Sequence, residues 1–194
     1  MRKATLILTF LALLTLLLAP VVAQDGGTVT IRVAHFSPDT PAVDVFVNGD
    51  AAIEGLEFPT VTEWIELPAG TYEVAVAPAG AGARAAAIGP ADFDLPAGAW
   101  ITVAAVGSLG SGTLKPAVVV EDYSNLGPGQ TRVNVFHGIE GVPPVDVLAG
   151  GAVVVPVLAF PGTLGGNDGA FDITVPAGVY DLQVIVSRTL KADA

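Results

Sequence analysis

The chain has 194 residues, with eight Lys or Arg against nineteen Asp or Glu, a formal net charge of −11 and no cysteine. That balance argues against nucleic acid and anionic membrane surfaces as partners, which need clustered cations. The missing cysteine excludes disulfides, thiolate metal centres and cysteine nucleophiles. The 52% apolar and only 14% charged residues argue against disorder, and stability must come from packing.

In chain order, Arg2-Lys3, the apolar run 5–19 and Val21-Val22-Ala23 form the three regions of an export signal. Residues 1–23 are therefore expected to be a signal peptide cleaved before Gln24, for a protein that is secreted or held in the cell envelope, extracellular or periplasmic. An uncleaved anchor is the alternative, although the run is short of the roughly 20 residues of a span. No later segment is long and apolar enough, so no membrane span is expected in the mature chain. Loss of Arg2 and Lys3 leaves six cations against nineteen acids, a charge of −13.

From Thr28 onward nearly every segment alternates with period two, as in Thr30-Ile31-Arg32-Val33, Val43-Asp44-Val45-Phe46-Val47 and Tyr72-Glu73-Val74-Ala75-Val76. The pattern predicts half-buried strands near 28–35, 43–48, 52–57, 62–67, 71–78, 83–88, 99–106 and 115–121. Three turns share a Pro-Ala-Gly core before an aromatic: residues 67–72, 95–100 and 175–180. Proline presets one turn dihedral and glycine supplies a left-handed position, which predicts a hairpin-type reversal with the aromatic entering the next strand.

Residues 35–49 (HFSPDTPAVDVFVNG) recur as 137–151 (HGIEGVPPVDVLAGG) at an offset of 102. A fixed offset of that size predicts an all-β chain of two tandem immunoglobulin-like or prealbumin-like antiparallel β-sandwich domains. The first repeat is expected over 24–124, a linker over 125–130 and the second repeat over 131–194. An insertion near Gly165-Gly166-Asn167-Asp168-Gly169 lengthens the offset to 108, and nothing follows that matches Trp100–Val106 or 117–121. The second repeat is thus expected to be incomplete, with apolar core and strand edges exposed for self-association or completion by another chain.

Few residues offer chemistry. His35 and His137 fall at equivalent strand ends facing the core; paired with Asp44 and Asp146 they suggest a metal or acid/base site. Each repeat has one histidine, however, and the Asp lies on the opposite face of its strand, so the expected role is to hold the loop Ser37-Pro38-Asp39-Thr40-Pro41. Ser37 lacks a base held by a third group, and Ile139 replaces it in the second repeat. Gly107-Ser108-Leu109-Gly110-Ser111-Gly112 spaces two glycines like a phosphate loop but precedes a strand, and a flexible hairpin loop is the better reading. Asp168 alone cannot hold calcium. Asp92, Asp94, Glu121 and Asp122 read as solvated strand edges. No catalytic, cofactor-binding or metal-binding residue is expected, and no cofactor.

The run Ile31-Arg32-Val33-Ala34-His35-Phe36-Ser37-Pro38-Asp39-Thr40-Pro41-Ala42-Val43-Asp44-Val45-Phe46-Val47-Asn48-Gly49 resembles the opening motif of the bacterial and archaeal family called domain of unknown function 4397. The resemblance continues through the Pro-Ala-Gly-Thr-Tyr turn and the strand ending at Val106-Gly107, covers the first repeat and two thirds of the second, and departs at Gly138-Ile139-Glu140-Gly141. It implies an exported sandwich domain without an established activity, sometimes beside fasciclin-type adhesion modules, and brings no catalytic residues. The expected function is a non-catalytic structural or interaction module of the envelope or extracellular space, related to adhesion, with another protein or a cell-surface polysaccharide as partner. A carbohydrate-binding module is the alternative, with Trp64 and Trp100 as its candidate aromatics and Trp100 expected in the core. A hydrolase is the weakest reading.

Overall fold

The computed structural model describes residues 26–163 and 167–188. The expected leader with its cleavage site, Gly165-Gly166, and residues 189–194 lie outside them. The chain is all-β, with β1 (Thr28–His35), β2 (Val43–Val47), β3 (Asp50–Leu56), β4 (Thr60–Val61), β5 (Ile65–Pro68), β6 (Gly70–Pro78), β7 (Ile88–Leu95), β8 (Trp100–Val106) and β9 (Lys115–Glu121) in the first repeat. The second contributes β10 (Gln130–Phe136), β11 (Val145–Ala149), β12 (Ala152–Ala159), β13 (Asn167–Asp168), β14 (Ala170–Pro176) and β15 (Leu182–Val186).

In the first repeat, one sheet is antiparallel in the order β3-β2-β6-β7. The facing sheet is built on β1, which pairs antiparallel with β4 and β5 on one side and parallel with β8 on the other, while β9 closes the edge against β8. The parallel pair corrects the expectation of a purely antiparallel sandwich. Parallel neighbours need a crossover, and here the crossover is the entire second sheet, so 70 residues separate the partners Thr30 and Trp100.

Three local expectations change. The strand expected over 62–67 begins only at Ile65, as β5, with the short β4 lying before it, and the strand expected over 83–88 is a 3₁₀ turn at Ala83–Ala85 followed by β7. Pro90 hid β7 from a propensity reading, and it is tolerated because β7 is an edge strand with one unpaired side. The Pro-Ala-Gly turns are not hairpins within a sheet: each carries the chain from one sheet to another, β5 to β6, β7 to β8 and β14 to β15. Gly98 takes the left-handed position (φ 77°), whereas Gly70 at φ 159° does not. In two of the turns the aromatic locks the corner, since the Tyr72 hydroxyl donates to the Pro68 carbonyl (2.8 Å) and that of Tyr180 to the Pro176 carbonyl (2.6 Å).

The second repeat forms a β10-β14 pair and a sheet ordered β13-β12-β11-β15. Among the described residues, no strand lies beside β10 where β8 lies beside β1, and β15 pairs only with β11. Leu182 and Val184 are 61% and 65% exposed, while Val74 and Val76, the corresponding residues of the first repeat, are half-buried between sheets. The repeats touch on the outer face of the β1-β8-β9 sheet. There the small side chains Ala34, Ala104 and Ala117 admit Phe160, with Phe36 and Phe136 packed alongside. Lys115 braces the contact by donating to the Pro161 carbonyl (2.6 Å) and lying 4.9 Å from the Phe160 ring centroid.

Between the two sheets of the first repeat the facing residues are mostly Val and Ala, among them Val33, Val45, Val74, Val76, Val103 and Ala105. Sheets pack about 10 Å apart, and side chains this short on both faces do not bridge that distance. A cavity of about 240 Å³ remains. Left empty, such a volume forgoes roughly 6 kcal/mol of packing at about 24 cal/mol per Å³. That is of the order of the whole stability of a small domain.

Each repeat also carries a β-bulge in the pair β2-β3 or β11-β12, where Gly55 (φ 65°) and Val157 (φ 46°) occupy equivalent left-handed positions. A β-branched residue is strained there. Gly55→Val is expected to lower stability by about 1–3 kcal/mol, and Val157→Gly to leave it unchanged or raise it, as measured by urea unfolding.

Candidate functional site

The residues singled out for chemistry form a knot at the ends of β1 and β8. His35 is fully buried; its Nδ1 accepts from the Ser37 backbone N–H (3.3 Å), which places the ring proton on Nε2 facing the Pro41 carbonyl (3.1 Å). Both ring nitrogens hold the loop that follows, as the sequence suggested. Ser37, also fully buried, donates from Oγ to the Gly107 carbonyl (2.7 Å) and lies 2.7 Å from Thr40 Oγ1. It also lies 3.3 Å from the Asp39 carboxylate, which the neighbouring loop holds, and its hydroxyl is closed to any substrate.

The glycine-rich loop 107–112 does behave as an anion cradle, but the anion is the protein's own Asp39. One carboxylate oxygen accepts from the Leu109 N–H (3.1 Å); the other accepts from the Ser108 hydroxyl (2.6 Å) and the Gly110 N–H (2.9 Å). These bonds, that of Ser108 foremost, hold the Asp39 carboxyl at about 2, against 3.8 ordinarily. Gly107 sits at φ 89°, and a Cβ there would run into the Thr113 carbonyl. The loop is further tied to the second repeat through Thr113 Oγ1, which donates to Glu140 (2.7 Å). What the sequence suggested as a flexible loop is pinned from both repeats.

Asp44 and Asp146 are buried and likewise bound to backbone. Asp44 accepts from the Gly80 and Gly55 N–H groups (2.8 Å each), which pull its carboxyl below the usual range, and Asp146 accepts from the Val157 N–H (2.7 Å). Neither meets its histidine. His137 is buried with no hydrogen-bond partner for Nδ1, the atom that in His35 accepts from the Ser37 backbone N–H; Ile139, at the position of Ser37, is 65% exposed. Asp92 and Asp94 are exposed on the edge strand β7, and Asp168 sits exposed beside the Phe160–Gly162 turn. Among the described residues no three His, Asp or Glu side chains converge as metal ligands.

A second constellation lies on the outer face of the β1-β8-β9 sheet. Trp100 and Tyr123 stack at 4.1 Å and 20°, and Trp64 meets both edge-on at 5.1 and 5.9 Å. Arg32 lies 4.2 Å over the Trp64 ring, donates through Nε to Thr102 (2.8 Å) and pairs with Glu121 (2.8 Å), which Thr102 also contacts. Trp100 therefore faces outward, which corrects its expected place in the core. A groove of about 560 Å³ lined by Trp100, Glu121, Asp122, Tyr123 and Ser124 runs beside the stack. Burial, then the Glu121 carboxylate, pushes the Tyr123 phenol above its ordinary pKa. Arg32, Thr102 and Tyr123 escaped the sequence reading. The outward positions of alternating Arg32 and Thr102 were a usable signal; the juxtaposition with Tyr123 was not, because it depends on strand register.

A family model, described as Domain of unknown function (DUF4397), matches residues 29–148. No curated protein matches the chain.

Two outcomes follow from the knot. His35→Ala, which leaves the Pro41 carbonyl and Ser37 N–H unpaired, should cost about 1–3 kcal/mol, and zinc should leave the melting temperature of the unsubstituted protein unchanged; micromolar zinc binding lost with the histidine would contradict the structural role. Because the Asp39 pKa is depressed on folding, its stabilisation is complete above pH 3.8 and is lost as pH falls through about 2. Acid titration of Asp39→Asn, followed by circular dichroism, should show a smaller loss of stability across that window.

Proposed function

Since the chain belongs to the DUF4397 family, whose description names no activity, we propose that it is an exported, non-catalytic structural and interaction module of the cell envelope or extracellular space. The observation that carries this reading is the commitment of its reactive side chains. His35, Ser37, Asp39, Asp44 and Asp146 are each bound to the backbone or side chains of the fold itself, so none has a free acid, base or nucleophile to offer. Surfaces suited to contact remain: the exposed apolar residues of β15 and the sides of β10 and β15 that, among the described residues, pair with no strand. Unpaired strand edges recruit further strands, which supports self-association or pairing with another protein in an adhesion-related setting.

The aromatic stack favours the second reading, a carbohydrate-binding module. Three rings flanked by Arg32, Glu121 and Asp122 offer stacking faces beside groups able to hydrogen-bond hydroxyls. Mass spectrometry of the extracellular and envelope fractions is expected to find Gln24 as the N-terminus, and intact Met1 would count against export. Titration with soluble cell-surface polysaccharide separates the two readings. Tryptophan quenching weakened about tenfold by Tyr123→Ala would favour sugar binding, and no quenching would leave the protein-interaction reading.

A further inference from the structure

The gap between the two sheets of the first repeat is built as a ligand site, and we propose that it takes an uncharged alkyl chain of about eight to ten carbons. Every residue lining the cavity is apolar, from Ile31 and Val33 on β1 through Val45 on β2 and Val76 on β6 to Phe93 on β7 and Val103 on β8. Water finds no hydrogen-bond partners in such a lining, and any buried part of a ligand must itself lack donors and acceptors. Native cores seldom leave voids of more than about one water, so about 240 Å³ is a departure that an occupant would relieve.

Size and shape select the occupant. An engineered apolar cavity of about 150 Å³ holds benzene, and in proportion 240 Å³ holds about one and a half times that bulk. The void is elongated, because Val43, Val45 and Val47 all line it, and those three positions span about 13 Å of strand. An extended chain fits that outline better than a fused ring system. The cavity also reaches solvent: Ala52, Ile65 and Pro116 line it yet remain exposed.

Charge settles the head group. On the edge strands, Glu54 follows the lining residue Ile53 and Glu66 lies between Ile65 and Leu67, both acids being exposed. Lys115, next to Pro116, is already engaged by the Pro161 carbonyl and the Phe160 ring. Among the described residues that line the opening or neighbour it, a carboxylate or phosphate head would meet like charge and no free cation, whereas an alcohol or another neutral head would not be repelled.

The test uses the purified full chain with octan-1-ol and, at neutral pH, octanoate, followed by titration calorimetry and thermal melts. The expected result is saturable binding of octan-1-ol and none of octanoate, with a melting temperature raised several degrees by octan-1-ol alone. Val45→Phe and Val103→Phe, which fill the gap, should each weaken octan-1-ol binding about tenfold or more without lowering the melting temperature. Folded variants that bind octan-1-ol like the unsubstituted protein would overturn the proposal, as would equal binding of octanoate. Should neither variant fold, methyl ¹³C shifts of the unsubstituted protein decide: octan-1-ol must move Val45, Val76 and Val103 and leave the exposed Val153 in place, and unmoved cavity methyls refute the site.

Discussion

The hydrogen bond from the Ser37 hydroxyl to the Gly107 carbonyl ties the end of β1 to the end of β8, and the first sandwich depends on that junction. β8 must return across an entire sheet to lie parallel with β1, so the pairing closes a long loop at an entropic cost. Three devices secure it where the strands end. The His35 ring shapes the loop, Ser37 bonds across, and Asp39 gathers the N–H groups of the β8–β9 turn. The buried part of this network, His35 and Ser37, is stabilising when its members are satisfied and costly when they are not.

The second repeat shows the same strand end where, among the described residues, no strand lies beside β10 as β8 lies beside β1. Ile139 and Gly141 occupy the positions of Ser37 and Asp39, and His137 keeps a buried nitrogen without a partner. The bulge survives, because Asp146 bonds the Val157 N–H as Asp44 bonds that of Gly55, and this contact lies wholly between strands that both repeats possess. Conserving the aspartate while losing the serine follows from which strands each residue must reach.

Composition acts at a larger scale. Ala residues on the outer face of the β1-β8-β9 sheet let Phe160 approach and join the repeats. Val and Ala on its inner face leave a void. The same short side chains thus give contact where the partner brings a large ring and a cavity where both faces are short, since packing depends on the sum of the facing volumes.

The sequence by itself determined the all-β class, most strand positions and the part His35 plays in its loop: period-two alternation and a histidine two residues from the N–H it accepts are short-range facts. It also placed Asp92 and Asp94 on an edge. Tertiary structure alone decided the parallel β1-β8 pair, the passage of each Pro-Ala-Gly turn between sheets, the capture of Asp39 by a loop 71 residues away and the meeting of Trp64, Trp100 and Tyr123. Those features depend on strand order and register. Alternation reveals which face a residue occupies and not which strand lies beside it, so contacts across sheets stay hidden until the chain is folded.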